Sequence, residues 1–255
     1  MTSPWPRPNY TFGGQTASIA LIALSPVRLP DPLPVSRTKH GMPVGGSGRE
    51  ISLAVRDRSD DLEWFVNQVL GPFTELISSD LGASAAATAL SSEHAYVIEC
   101  EVEDPDDLGH VQAAWALAKC VCEEGAAIVI DVYAARAHLG SDVAELAPER
   151  SFDVMHEVTL FFDEQPDGKL SAWTLGLRKF GRPDLVLLGV PADTATEAAL
   201  LLRDVAATMA AGERVEPGDK VETPDGVTLV ATRFDPASSA LVAVEGEALL
   251  LRLAD

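Results

Sequence analysis

At 255 residues, 47% of them apolar and 23% charged, the chain is long enough for a sizeable hydrophobic core and too apolar for extended disorder. Asp and Glu number 39 against 19 Lys and Arg, a formal charge of −20. That balance argues against nucleic-acid backbone and anionic membrane as partners; it reads first as plain solubility, and it would also attract a basic protein. The three cysteines, Cys100, Cys120 and Cys122, are too few for a disulfide framework. Two positions apart on a helix, Cys120 and Cys122 face opposite ways and cannot chelate one metal together.

Residues 1–15, with Pro4, Pro6 and Pro8, read as a loose leader. It lacks a basic stretch and a cleavage site, so no signal peptide is expected and the cytoplasm is the expected location. Residues 18–24 are almost wholly apolar, which predicts a buried strand too short to span a bilayer. Prolines at 26, 30, 32, 34 and 43 mark residues 25–50 as a long loop. Its Gly45-Gly46-Ser47-Gly48 stretch reads as linker, because the lysine and following helix of a phosphate-binding loop are missing. A second strand is expected at 51–55. Leu62, Phe65, Val66, Val69, Leu70, Phe73, Leu76 and Ile77 recur at helical spacing. They predict a helix starting near Asp60, capped by Asp60 with Glu63, kinked or broken at Gly71-Pro72 and stopped at Gly82. The Ala/Ser-rich stretch 83–92 is ambiguous.

A strand is expected at 94–102, then a helix opening at Asp104-Pro105 with Val111, Trp115, Ala118 and Cys122 on its inner face. The apolar run 126–133 predicts a central strand. Further strands are expected at 152–162, 170–179 and 185–190, followed by a helix capped by Thr194 and Glu197 that ends at Gly212. Short strands at 227–234, 240–244 and 248–253 predict a small C-terminal β meander. This order argues an α+β fold, a mostly antiparallel sheet with about three helices packed on it. The predicted organisation is one domain over 16–215, with residues 216–255 as a β appendage on that same domain.

Dinucleotide, P-loop, zincin, paired C-x-x-C, nucleophile-elbow and EF-hand motifs are missing, so neither a cofactor nor a metal is expected. His110, close to Asp106 and Asp107, reads as part of a solvated helix face, and His156 as a hydrogen-bonded core histidine on a strand. Two clusters remain. Asp131 interrupts an apolar run and, with Tyr133, Arg136, His138 and Asp142 just beyond it, must find a partner. It reads as a structural Asp–Arg or Asp–backbone contact, with a ligand site on Asp131, Arg136 and His138 as the alternative. Arg178, Lys179 and Arg182 crowd one turn, with Gly181 suited to a positive φ. They read either as the cations of a rigid hairpin paired with nearby acids or as a contact for an anion or a protein partner.

The run from Thr174 to Leu185, followed by an apolar strand and a capped helix, resembles a family of uncharacterised bacterial domains. In those domains a T-x-G-L/M-x-x-F-G-x-P-D/E-L hairpin precedes the last helix. The likeness spans residues 95–230 and rests on this motif; the N-terminal quarter shows no match. The resemblance implies an α+β bacterial domain and supplies no catalytic residues. The reading favoured by charge and motifs is a non-enzymatic interaction module of immunity or adaptor type, presenting an acidic face to a basic partner. The alternative is a small-ligand binder or enzyme centred on Asp131, Arg136 and His138. Nothing in the sequence fixes an oligomeric state.

Overall fold

The structure, a computed structural model, describes every residue except 1, 151, 223–225, 227, 239–241, 245 and 254–255. The chain divides into two compact units, Met1–Pro6 with Ser18–Phe152 and Arg7–Ala17 with Asp153–Asp255. The fold is α+β, as expected, but it is built on two open sheets rather than one. No described helix is long and apolar enough to cross a membrane.

The first unit contains β1 (Thr16–Ser25), β2 (Ser52–Asp57), α1 (Leu62–Trp64), α2 (Gly71–Leu81), α3 (Ala83–Leu90), β3 (His94–Glu103), α4 (Gly109–Glu123), β4 (Ile128–Asp131), β5 (Arg136–Leu139) and α5 (Gly140–Ala144). Its sheet runs β2-β3-β1-β4-β5, with the apolar β1 at the centre. Gly71-Pro72 does not break the first helix. Pro72 has no N–H for the carbonyl of Gln68, and the turn before it, Phe65–Leu70, widens into a π-helix in which Gly71 N–H bonds Val66 O. The helical run therefore stays continuous from α1 through the π segment to α2. Phe65, Val69, Ile77, Ala85 and Ala89 of this run and of α3 pack against Ile22, Leu24, Ala95, Ile128 and Ile130 on one face of the sheet.

Alternation along the strands turns Leu21, Tyr96, Ile98 and Val129 to the opposite face, where α4 lies against β3. From Gly109 to Cys122 every residue of α4 except Lys119 is buried, as expected of a helix that is apolar all round. Its polar members are satisfied: Gln112 Oε1 accepts from Trp5 N at 3.1 Å, and Nε2 donates to Pro148 O at 2.8 Å. Trp5, in the stretch read as a loose leader, is thereby held in the core at 9% exposure.

The second unit contains α6 (Val154–Glu157), β6 (Thr159–Glu164), β7 (Leu170–Leu175), β8 (Asp184–Val190), α7 (Ala195–Ala210), β9 (Lys220–Glu222), β10 (Thr228–Arg233) and β11 (Ala248–Leu253). Its sheet runs β6-β7-β8-β11-β10-β9. The pairs are antiparallel except β8 with β11, where Asp184 and Ala248 start a parallel register. The C-terminal strands thus extend this sheet. Trp173, Val186, Phe234, Val242, Ala248 and Leu250 form the core of one face, with Phe161 stacked on Trp173 at 5.6 Å. Ala198, Leu202, Val205, Ala206 and Met209 are the buried side of α7.

Several local expectations change. The helix expected from Asp104-Pro105 begins at Gly109, because Asp107 Oδ1 accepts from Gly109 N at 2.8 Å and starts it there. Thr194 stands at the N-terminus of α7, but its hydroxyl donates back to Pro191 O, so no capping box forms. The strand expected at 152–162 opens instead with α6, whose Asp153 side chain accepts from Met155 N, and His156 is exposed. The strand expected at 170–179 stops at Leu175, since Gly176 takes φ 120° and Leu177–Phe180 turn as a 3-10 helix. Of the strand expected at 240–244, residues 240 and 241 lie outside the described residues, and 242–244 have no strand pairing.

Candidate functional site

The Asp131 group lies on the β4–β5 hairpin. The register pairs Asp131 with Arg136 and Val129 with His138. Directly opposed residues share a face, and so do residues two apart, so Asp131, Arg136 and His138 all stand on the face that α4 covers. The His138 ring meets the Trp115 indole edge-on, with centroids 5.3 Å apart. Asp131 is 0% exposed and accepts from Ala134 N at 3.1 Å, which closes the tight connection to β5. Ala135 adopts φ 45° in that connection. Tyr133, Arg136 and His138 are half-buried, while Asp142 is exposed at the start of α5.

The three cations of the second cluster are not gathered on one surface. Arg178 is exposed. Lys179 is fully buried, and its Nζ lies 2.6 Å from Glu157 Oε2. Arg182, 2% exposed, donates to the carbonyls of Gly181, Glu213, Gly212 and Thr11. Two of these carbonyls follow the C-terminus of α7, where a cation is favoured by the helix dipole.

The remaining residues of the motif complete this turn. Thr174 Oγ1 donates to Asp184 Oδ1 at 3.0 Å and accepts from Leu185 N at 2.8 Å, and Leu177 N donates to the same Asp184 oxygen at 3.2 Å. Gly181 sits at φ 60°, and a β-carbon there would lie 2.2 Å from Gln15 O. Leu177 and Phe180 are fully buried. Burial pushes the Asp184 carboxyl up to about 7, against the donors from Leu177, Thr174 and Gly176 and the nearby Lys179 charge.

A third constellation was not visible as chemistry in the sequence. Ser47, in the stretch read as a linker, forms part of an ordered 3-10 turn, Gly46–Glu50. Its hydroxyl donates to Asp107 Oδ1 at 2.6 Å and accepts from His110 N at 3.0 Å, with His110 Nδ1 also at 3.0 Å. His110 is 0% exposed, so it does not belong to a solvated helix face. A hydroxyl has one proton and two lone pairs. With the proton on Asp107 and one lone pair on the His110 amide, the second lone pair takes Nδ1–H. The Ser47 hydroxyl is saturated, and the arrangement fastens the turn to the start of α4.

In the second unit a cleft of about 340 Å³ is lined by Arg182, Arg214, Arg233, Glu216 and Glu247. Its charges are mostly compensated: Arg182 holds carbonyls, Arg214 pairs with Glu216, and Glu247 accepts from Gln15. Among the described residues no group of three or more His, Cys, Asp or Glu is placed to hold a metal ion. Compared with family models, curated proteins and solved structures, the chain matches none significantly.

Proposed function

We propose that the protein is a non-catalytic interaction module that engages a basic protein through an acidic face of its first unit. The observation that carries this reading is a charge run. Between Arg58 and Lys119 there are twelve Asp and Glu and no Lys or Arg. This stretch supplies α1, α2, α3, β3 and most of α4, and six of the twelve acids, Glu63, Glu75, Asp80, Glu99, Glu101 and Glu103, lie in α1, α2 and β3. Glu99, Glu101 and Glu103 are all exposed and alternate along β3, so they stand on one face about 7 Å apart. The residue opposite Glu99 on β2 is Ser52, so no cation faces Glu99 in that register. Like charges at this spacing repel, and a cationic partner relieves that repulsion while the field speeds its approach. The resemblance of the second unit's hairpin to bacterial domains without catalytic residues is in keeping with such a role.

Exposing native cytosol to the immobilised protein tests this. At low salt a basic protein is retained, and it elutes as the ionic strength is raised, because screening shortens to about 10 Å at 0.1 M. Failure to retain any protein in a salt-sensitive way would contradict the reading.

A second reading rests on Asp131, Arg136 and His138 sharing one face of the hairpin. If they serve a small anionic ligand, a thermal-shift screen of carboxylates and phosphates raises the melting temperature of the parent but not of Arg136→Ala. Equal shifts in both would dismiss that role.

A further inference from the structure

We infer that the groove between α2 and α3 receives an amphipathic, positively charged helix of the partner. This rests on the reading of the acidic face and names where on it the contact is made. The groove has a volume of about 460 Å³ and is lined by small residues, among them Gly71, Ser78, Ala83 and Ala87. Side chains this short allow a second helix to come close, and the 11 residues of α2 offer about 16 Å of length, some three helical turns.

Exposed apolar side chains stand in the groove wall and on the helical run before it. Leu90 lines the groove and is 46% exposed. Gly71 N–H bonds Val66 O, so Val66 stands one π turn before Gly71 on the same side of the helical run, with Leu62 a further turn back. Val66 is 45% exposed and Leu62 55%. One exposed aliphatic residue needs no explanation, but one in the groove wall and two on the helical run that leads into α2 point to a contact surface. The only charged residue in the groove wall is Glu75, and no Lys or Arg occurs in α1, α2 or α3; Arg58, which follows β2, is occupied with the Leu90 and Ser92 carbonyls at the end of α3. An apolar stripe flanked by Lys or Arg therefore matches this surface, and one flanked by acids does not.

The test uses fluorescence polarisation on the full chain. The probes are three labelled peptides of about 18 residues, roughly five turns: a Leu/Lys amphipathic helix, its Leu/Glu counterpart, and a Leu/Lys peptide interrupted by prolines. The Leu/Lys helix binds, and the other two bind at least about tenfold more weakly. Ala87→Trp, at an exposed position in the groove wall, fills the groove without changing charge and weakens the Leu/Lys helix at least about tenfold; Ser78→Trp repeats this from the α2 wall. The triple change Glu99→Gln, Glu101→Gln, Glu103→Gln removes charge outside the groove. If both tryptophan variants bind like the parent while the glutamine variant is weakened, the groove inference is wrong and the acidic-face reading stands. If only the tryptophan variants are weakened, the groove stands and the β3 charges are not part of the contact. Equal binding of the helical and proline-interrupted peptides overturns the inference outright.

Discussion

Lys179 Nζ lies 2.6 Å from Glu157 Oε2, with the lysine side chain 0% and the glutamate side chain 4% exposed. Lys179, read in the sequence either as a hairpin cation paired with a nearby acid or as an anion or partner contact, is half of an ion pair, and that pair lies in the interior. The pair joins the 3-10 turn after β7 to α6, within the second unit.

Breaking one side of this pair leaves an uncompensated buried charge. Lys179→Met is expected to destabilise the second unit by roughly 3–5 kcal/mol in urea unfolding, whereas Lys179→Met with Glu157→Leu recovers most of that loss. A single variant as stable as the parent would show that Glu157 is neutral or solvated.

Asp184 gives a pH signature. Its carboxyl titrates in the folded protein at about 7 because it is buried, above the ordinary value near 4. The folded state therefore holds its proton where the unfolded chain has lost it. The stability contributed by this group is full below about pH 4 and is lost as pH rises through 7, on the order of 1.4 kcal/mol per unit. Asp184→Asn keeps an oxygen to accept from Thr174 and Leu177 and removes the titration. Urea midpoints from pH 4 to 8 should fall less steeply for the variant than for the parent. Parallel curves would mean that Asp184 is ionised throughout.

Gly181 is held at φ 60° with Gln15 O where a β-carbon would go. Gly181→Val therefore meets both a left-handed backbone, at roughly 1–2 kcal/mol, and a backbone clash. Its melting temperature should drop by several degrees at least. Arg178→Ala, at the exposed end of the same turn, should melt with the parent.

The cysteines should be inert in the folded protein. Burial pushes the thiols of Cys100 and Cys120 up to about 11 and that of Cys122 to about 12. Mass spectrometry after maleimide treatment at pH 8 should find the folded chain unlabelled and the urea-unfolded chain labelled at all three. Rapid labelling of the native protein would contradict their burial.

The sequence disclosed what depends on local pattern and hid what depends on distant partners. The strand at 18–24 is legible because its apolar run is short and bounded, the one at 94–102 because its side chains alternate, and Gly181 because a turn before Pro183-Asp184 calls for a positive φ. That Asp131 is buried follows from the apolar run around it. The bond from Thr174 to Asp184 spans ten positions across a turn, and no periodicity announces it. His110 reads as part of a solvated helix face until Ser47 arrives from a distant loop to satisfy it, as Pro148 satisfies Gln112 two positions on. The second sheet escaped notice because β11 joins β8 in parallel from far along the chain. The groove between α2 and α3 was hidden in the Ala/Ser-rich stretch, whose composition favours neither helix nor loop strongly enough to decide.

The most direct measurement for the acidic face is capture from native cytosol at low salt by the parent and by a Glu99→Lys, Glu101→Lys, Glu103→Lys variant whose melting curve matches the parent. These side chains are exposed, so the change is expected to leave the fold intact. The expected result is a basic protein retained by the parent, released by salt, and lost from the variant. Retention of the same protein at the same level by both would contradict the acidic face as the contact surface.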